Sequence, residues 1–152
     1  MNKLKIPFLA LLSMGIGIMM GAYLFSQSQP RSILAINPCQ NCLSHADFLG
    51  LIGSVGIKKF PGLIPSVAFE TDKTVAMKLS SSSGERIHYV IIPKKDIKNI
   101  GEISEAAGEY LLDAYLVARK IIEKEKLSKY RFFTNGPDFQ DVTYLHFHLV
   151  AE

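Results

Sequence analysis

The length, composition and charge of the chain indicate one compact domain preceded by an N-terminal segment. The chain has 152 residues and a formal net charge of +3, and single domains commonly have about 100–150 residues. Three of its 17 basic residues, Lys3, Lys5 and Arg31, precede the expected domain, so that 14 basic residues remain against 14 acidic ones. This balance does not indicate a polybasic surface, and no nucleic-acid partner is expected.

Residues 1–25 have the pattern of a signal anchor. An uncharged run of 20 residues follows Lys3 and Lys5 and extends over residues 6–25, and about 20 apolar residues are needed to cross a bilayer core. The charges before this run predict a cytoplasmic N-terminus and an extracytoplasmic domain. We therefore expect a single-pass transmembrane helix. A cleaved signal with secretion, and an N-terminal helix that packs within a soluble protein, are the alternatives.

A linker and an irregular segment come next. Residues 26–37 are polar at their start and lack periodicity, which predicts a linker before a domain at residues 38–152. The beginning of this domain is rich in Gly and Pro and is expected to contain one short helix at residues 46–52. Cys39 and Cys42 form a single CxxC pair, which is compatible with half a zinc site, a redox motif or a local disulfide.

The rest of the chain predicts an α+β domain. Two strands with a turn at residues 71–73 are followed by a third strand at residues 87–92, which ends at Pro93. Apolar residues then recur at intervals of three and four over residues 104–127, which predicts one long helix with Ser104 as its N-cap. Two final strands close the chain. This order predicts a mostly antiparallel sheet with one packed helix.

The last strand contains two of the four histidines. Side chains alternate between the faces of a strand, so that Tyr144, His146 and His148 share one face and the intervening apolar residues share the other. The apolar face is expected to meet the long helix. Two histidines on one face suit metal binding, anion binding or nucleophilic catalysis, although two ordinary surface histidines at a strand end are the simpler alternative.

Several segments together resemble the histidine-triad (HIT) family of nucleotidyl hydrolases and transferases. Their order and spacing match the family from about residue 64 to about residue 150. The resemblance implies a nucleotide-like small molecule as substrate, and a homodimer built through the long helix and an adjoining strand. The matching segments are IPSVAFETDKTVAM, HYVIIPKKDIKNIGEIS, the predicted long helix, YRFFTNGPD and QDVTYLHFHLV.

The resemblance also implies a mechanism and a set of site residues. His146 occupies the place of the nucleophile that attacks the α-phosphorus, and a neutral imidazole can form such a covalent intermediate. His148 corresponds to a residue that holds phosphoryl oxygens or helps to protonate the leaving group. The implied substrate-binding residues are Asn135, Gln140, Asp141 and His88.

The sequence departs from the family pattern at three places. Tyr144 stands where the first histidine of the motif is expected, and Asp141 puts a carboxylate where an anionic phosphate should bind. The acidic residue that holds the ribose in many relatives would fall near Leu79 or Ser80, and neither residue is acidic. We therefore expect a membrane-anchored hydrolase with a changed substrate cradle. A catalytically degenerate domain that binds a ligand or assembles with a partner is the alternative.

The departures also affect a zinc site that many bacterial relatives have. In those relatives two histidines join the CxxC pair, and here Asp96 and Tyr144 occupy their places. Tyrosine is not among the usual zinc ligands, whereas His45 is near enough in sequence to substitute. We expect no cofactor and a disulfide between Cys39 and Cys42, since an extracytoplasmic pair tends to be oxidised. Zinc on Cys39, Cys42 and Asp96, or a pair of free thiols, is the alternative.

Overall fold

The computed structural model describes residues 5–26, 28, 45–59, 66–79 and 86–152 of the chain. In the first two helices the side chains are described from residues 9 and 50 onward. Cys39 and Cys42, for which we predicted a disulfide or a zinc site, lie outside the described residues, as does most of the predicted linker at residues 26–37. The predicted domain limits stay predictions.

Three helices and five strands make up the described part of the chain. A 3₁₀ turn at Glu105–Ala107 leads into the third helix, and another at Pro137–Phe139 separates the last two strands. The helices are α1 (Lys5–Phe25), α2 (His45–Lys59) and α3 (Gly108–Glu125). The strands are β1 (Val67–Glu70), β2 (Thr74–Lys78), β3 (Ile87–Pro93), β4 (Arg131–Phe133) and β5 (Phe147–Ala151).

The five strands form one antiparallel sheet in the order β1-β2-β3-β5-β4. The predicted strands and the α+β arrangement are therefore confirmed. The central strand β3 is buried along most of its length, in keeping with its nearly continuous run of apolar and β-branched residues. Its neighbour β5 comes from the end of the chain, so the two segments that carry histidines lie side by side.

Helix α3 covers one face of the sheet. Its apolar stripe, which the sequence predicted from intervals of three and four, is buried against side chains of β3 and β5. The helix starts at Gly108 rather than at Ser104, because the 3₁₀ turn intervenes and the Ser104 side chain makes no capping hydrogen bond. The buried residues of this stripe are Ala114, Val117, Ala118 and Ile121, with Ala107 in the preceding turn.

Helix α2 lies over the opposite face and is longer than predicted. The glycines in this segment argued for a short helix, yet Ser54 and Ile57 are buried in the described structure and packing outweighs their low propensity. The Ser54 hydroxyl donates a hydrogen bond of 3.0 Å to the carboxylate of Asp96, which is also buried. This buried polar contact ties α2 to the loop that follows β3.

The predicted transmembrane helix is wrong, and so is the single-pass membrane localisation that depended on it. Among the residues that the structure describes, none of the helices is both long enough and apolar enough to cross a membrane. The prediction relied on the lack of charge over residues 6–25, and a lack of charge does not by itself make a helix sufficiently apolar. Ser13, Gly15, Gly17 and Gly21 add little apolar surface to α1.

Loss of the Ser54 hydroxyl should destabilise the protein. Ser54→Ala removes a donor from the buried carboxylate of Asp96, and we expect the free energy of unfolding to fall by about 1–3 kcal/mol. Ser26→Ala is the matched control, because the Ser26 hydroxyl is exposed and should contribute less than about 0.5 kcal/mol. Urea unfolding of both variants checks this expectation. Equal stability losses in both would contradict it.

Candidate functional site

Three histidines lie together on the sheet face opposite α3. His88 on β3 and His148 on β5 point to the same side, because His148 pairs with Val90, two residues after His88. The Nε2 atom of His88 lies 3.0 Å from the Nδ1 atom of His148, a hydrogen-bonding distance. The ring of His146 meets that of His148 edge-on, with 4.9 Å between the ring centres. The structure therefore brings together the three histidines that the sequence assigned to the site.

The orientation of His146 is fixed by two backbone contacts. Its Nδ1–H donates a hydrogen bond of 2.6 Å to the carbonyl oxygen of Tyr144, and the Thr134 hydroxyl donates one of 2.7 Å to the carbonyl oxygen of His146. A carbonyl only accepts, so the proton of the neutral imidazole is on Nδ1. The lone pair of the neutral ring is consequently on Nε2, where it is available for nucleophilic attack.

The predicted alternation of faces is confirmed, although the strand itself begins later than expected. Tyr144 packs in the cluster opposite α3, whereas Leu145 and Phe147 pack beneath α3. Strand pairing starts only at Phe147, since the Leu145 amide donates to the carbonyl of Ile97 outside the sheet. His146 thus sits in the segment just before β5, at the end of the paired region.

His148 is held in a neutral form. Burial lowers its pKa to about 4, electrostatic repulsion from the neighbouring rings of His146 and His88 acts in the same direction, and the negative charge of Asp141 opposes both effects. Phe133 stacks on its ring with 5.1 Å between centres. At neutral pH His148 is therefore a hydrogen-bonding group rather than a cation, which limits the part it can play in protonating a leaving group.

Two buried nitrogen atoms of the predicted site have no hydrogen-bond partner within the described structure. They are Nε2 of His148 and Nε2 of Gln140. Buried polar atoms are almost always paired in native proteins, and exceptions are often explained by a bound ligand or ion. Both residues were assigned to the site from sequence, and both atoms are suited to donating hydrogen bonds to an oxyanion.

Asn135 and Asp141 lie in the segments that flank these groups. Asn135 is half-buried and directly follows Thr134, whose hydroxyl contacts the His146 backbone. Asp141 is exposed, and its charge is felt at His148. A carboxylate at this point opposes the approach of an anionic substrate.

Among the described residues, Asp96 and Tyr144 both take part in hydrogen bonds. Asp96 accepts the hydrogen bond from Ser54, and the Tyr144 hydroxyl donates one of 2.8 Å to the carbonyl oxygen of Pro93. Within the described ranges, His, Cys, Asp and Glu side chains form no group of three that could hold a metal. Zinc on Asp96 stays a prediction, because Cys39 and Cys42 lie outside those ranges.

A cavity of about 360 Å³ opens between α2 and the sheet beside His146. This cavity was not predicted, because the segment that supplies α2 was expected to be largely irregular. The contacts of Thr134 and Phe133 were also missed, although both residues stand immediately before Asn135. The cavity is lined by Ile52, Gly53, Ile57, Met77, Val90, Ile92, Val142, Tyr144 and His146.

Comparison with known proteins agrees with this geometry. Residues 64–152 match the family described as scavenger mRNA decapping enzyme C-terminal binding domain. The chain belongs to this family. An uncharacterized HIT-like protein of Buchnera aphidicola, a further relative, is 30% identical over 98 residues, which are 62% of this chain and 88% of that protein.

Solved HIT structures have the same fold as this family member. A HIT family hydrolase from Clostridium thermocellum is 30% identical with a TM-score of 0.57, covering 66% of this chain and 89% of its own. A second HIT family hydrolase, from Legionella pneumophila, is 31% identical with a TM-score of 0.55, and the match covers 62% of this chain and 88% of that protein. A histidine triad nucleotide-binding protein from Candida albicans is 28% identical with a TM-score of 0.54, covering 66% and 75%. The HIT fold is therefore established for this chain.

The lowered pKa of His148 predicts a pH-dependent stability. Its pKa of about 4 in the folded protein lies below the ordinary value of 6.5, so the unfolded chain binds the proton first as the pH falls. The contribution of this group to stability is present above pH 6.5 and decreases progressively towards pH 4. In His148→Gln this dependence should disappear. Between about pH 6.5 and pH 4, wild type should therefore take up to about one more proton on unfolding than the variant does.

Urea unfolding of wild type and His148→Gln in small steps from about pH 7 to about pH 4 checks this expectation. Other titrating groups are common to both proteins and largely cancel in the difference. A difference in unfolding free energy that stays constant over the range would contradict it.

Proposed function

We propose that the protein is a HIT-type hydrolase that cleaves a phosphoanhydride or phosphoramidate bond of a nucleotide-like substrate through a covalent intermediate on His146. The observation that carries the proposal is the hydrogen bond from His146 Nδ1–H to the Tyr144 carbonyl, which leaves Nε2 as the nucleophilic atom. The names of the relatives support it, since two similar proteins are called HIT family hydrolases and a third a nucleotide-binding protein.

The reaction has two displacements at phosphorus. In the first, the lone pair on Nε2 of His146 forms a bond to phosphorus, and the leaving group departs with its electron pair and takes up a proton. In the second, water attacks the phosphorus, the N–P bond breaks, and the phosphate monoester is released while His146 regains its neutral form. Splitting the hydrolysis in this way replaces one difficult step by two easier ones.

The neighbouring groups bind the phosphoryl oxygens in this proposal. If His88 donates from Nε2 to Nδ1 of His148, the remaining proton of neutral His148 is on its buried Nε2 atom, which then donates to substrate. Gln140 Nε2 and the amide of Asn135 supply further donors. Donors that are already positioned for negative charge stabilise the transition state without having to reorganise.

A second function, from a different class, is a domain that binds a ligand without turnover. The specific observation in its favour is Asp141, whose exposed carboxylate acts on His148 where phosphate would bind. Such a domain would keep the cavity and the buried donors while binding phosphate weakly. Binding of a phosphate monoester in the absence of any turnover identifies this case.

The homodimer that the resemblance implied stays a prediction. Two observations support it: β4 lies at the edge of the sheet, and the outer surface of α3 exposes large apolar side chains at intervals of three and four. These side chains are Leu112, Tyr115 and Leu116.

Replacement of His146 should abolish turnover. Wild type, incubated with phosphoramidates that differ in the group esterified to phosphorus, should release the corresponding phosphate monoester, and His146→Asn should be slower by about a thousandfold or more. Intact mass spectrometry after rapid denaturation in alkali should detect the covalent adduct, phosphorus with its esterified group, in wild type and not in His146→Asn.

His148→Gln is the comparison variant, because it removes a binding group but keeps the nucleophile. We expect it to form the adduct at a reduced rate. Turnover by His146→Asn, or the absence of an adduct in wild type on every substrate, would contradict the proposed mechanism.

Removal of the charge on Asp141 should improve substrate binding. A charge pair near a protein surface is worth about 1 kcal/mol or more, so Asp141→Asn should lower the KM for an anionic phosphoramidate about fivefold, and less at high salt. Asp138→Asn is the matched control, since it makes the same charge change in the exposed 3₁₀ turn nearby. Equal KM values for Asp141→Asn and Asp138→Asn would contradict the prediction, because they would show that Asp141 is no nearer to the bound phosphate than Asp138 is.

A further inference from the structure

The cavity beside His146 is lined mainly by apolar side chains. It lies between α2 and the sheet face opposite α3, and its volume is about 360 Å³. Aliphatic and thioether side chains supply most of its wall, among them Ile57, Met77 and Val142. The described residues that line it include no charged side chain.

The polar groups at the edge of the cavity already make hydrogen bonds within the protein. The Tyr144 hydroxyl donates to the Pro93 carbonyl, and Nδ1 of His146 donates to the Tyr144 carbonyl. Nε2 of His146 is the remaining polar atom of these two side chains, and in the proposed function it forms the bond to phosphorus. A ligand hydroxyl that entered this space would lose its water without gaining a partner among these side chains, at a cost of about 1–3 kcal/mol.

Apolar groups, in contrast, gain from the same lining. Transfer of apolar surface out of water contributes about 25 cal/mol per Å², and a preformed apolar cavity requires little rearrangement to receive it. The end of β2 is consistent with this preference: Leu79, near which the resemblance placed a ribose-binding acid, is a partly exposed apolar residue. The described part of the site thus favours a group without hydroxyls.

We infer that the cavity binds an apolar group, aromatic or branched aliphatic, that is esterified to the phosphorus attacked by His146. This inference rests on the proposed function and narrows its substrate class to phosphoanhydrides or phosphoramidates of an apolar alcohol or phenol. His146 Nε2 bonds to phosphorus, and the leaving group departs with the electron pair of its broken bond and takes up a proton from water. Water then cleaves the N–P bond, and the apolar phosphate monoester is released.

Binding of two product-like monoesters to the full-length protein tests the inference directly. 1-Naphthyl phosphate and adenosine 5′-monophosphate carry the same phosphate and an aromatic ring, but only the second has a ribose. By calorimetry, we expect 1-naphthyl phosphate to bind at least tenfold more tightly. Equal or tighter binding of adenosine monophosphate would overturn the inference.

Variants of the cavity wall separate this preference from a general affinity for aromatic phosphates. Met77→Gln and Val142→Thr are close in size to the native side chains, and both positions are only partly buried, so folding should be retained. Each should weaken binding of 1-naphthyl phosphate severalfold and leave adenosine monophosphate nearly unchanged. Ile100→Gln, at an exposed apolar residue outside the cavity, is the control. Unchanged binding of 1-naphthyl phosphate in both cavity variants would also overturn the inference.

Turnover of the two corresponding phosphoramidates distinguishes failure of this inference from failure of the proposed function. If the binding preference holds but neither compound is cleaved, the hydrolase proposal fails and the assignment of the cavity remains. If both are cleaved through His146 and the adenosine compound is preferred, the hydrolase proposal holds and the assignment of the cavity fails.

Discussion

The antiparallel pairing of β3 with β5 is the constraint on which the rest of the site depends. It joins a strand from the middle of the chain to its last residues, and it places His88 diagonally opposite His148. A shift of one residue in this register would move every side chain of β5 to the other face. The same shift would expose Phe147 and Leu149, which are buried beneath α3, so the hydrophobic core itself fixes the positions of the histidines. Core packing and site geometry therefore follow from one set of backbone hydrogen bonds.

Helix α2 contacts the opposite face of the sheet through a buried polar pair and through an apolar cluster that includes Ile57 and Val90. The buried hydrogen bond between Ser54 and Asp96 holds helix α2, and Asp96 is the residue that the family resemblance placed at a zinc-ligand position. A buried carboxylate accepts such a bond strongly. The apolar surface between α2 and the sheet is only partly filled, and the remaining space is the cavity next to His146. The position of the helix and the shape of the cavity are thus linked.

Sequence patterns predicted the sheet, α3 and the grouping of the histidines, because each depends on local periodicity or on a specific motif. The apolar stripe of α3 and the alternation around His146 are of this kind. The errors have a common cause. The transmembrane helix and the shortened α2 were both inferred from composition, from the absence of charge in one case and the presence of glycine in the other. Packing of Ser54 and Ile57 against distant residues determined the length of α2, and no local pattern records such contacts.

The site contains histidines that the sequence motif predicted, and it also contains Phe133 and Thr134, whose contacts only the fold shows. Phe133 lies directly opposite His148 across β4 and β5, so its stacking is a consequence of register. Thr134 reaches the backbone of His146 from the same direction. Neither contact follows from the motif around the histidines, because the partner segments are separated along the chain and meet only in the assembled sheet.

The acceptor that orients the ring of His146 is the backbone carbonyl oxygen of residue 144. The tautomer of His146 therefore does not depend on the side chain at position 144. Any residue at position 144 would present the same carbonyl to Nδ1 of His146, provided that the chain keeps its path. The side chain at that position is therefore free to serve another purpose, and Tyr144 uses its own hydroxyl to bridge to the end of β3. The path of the backbone thus determines the reactive tautomer of His146, whereas the side chain at position 144 forms part of the cavity wall.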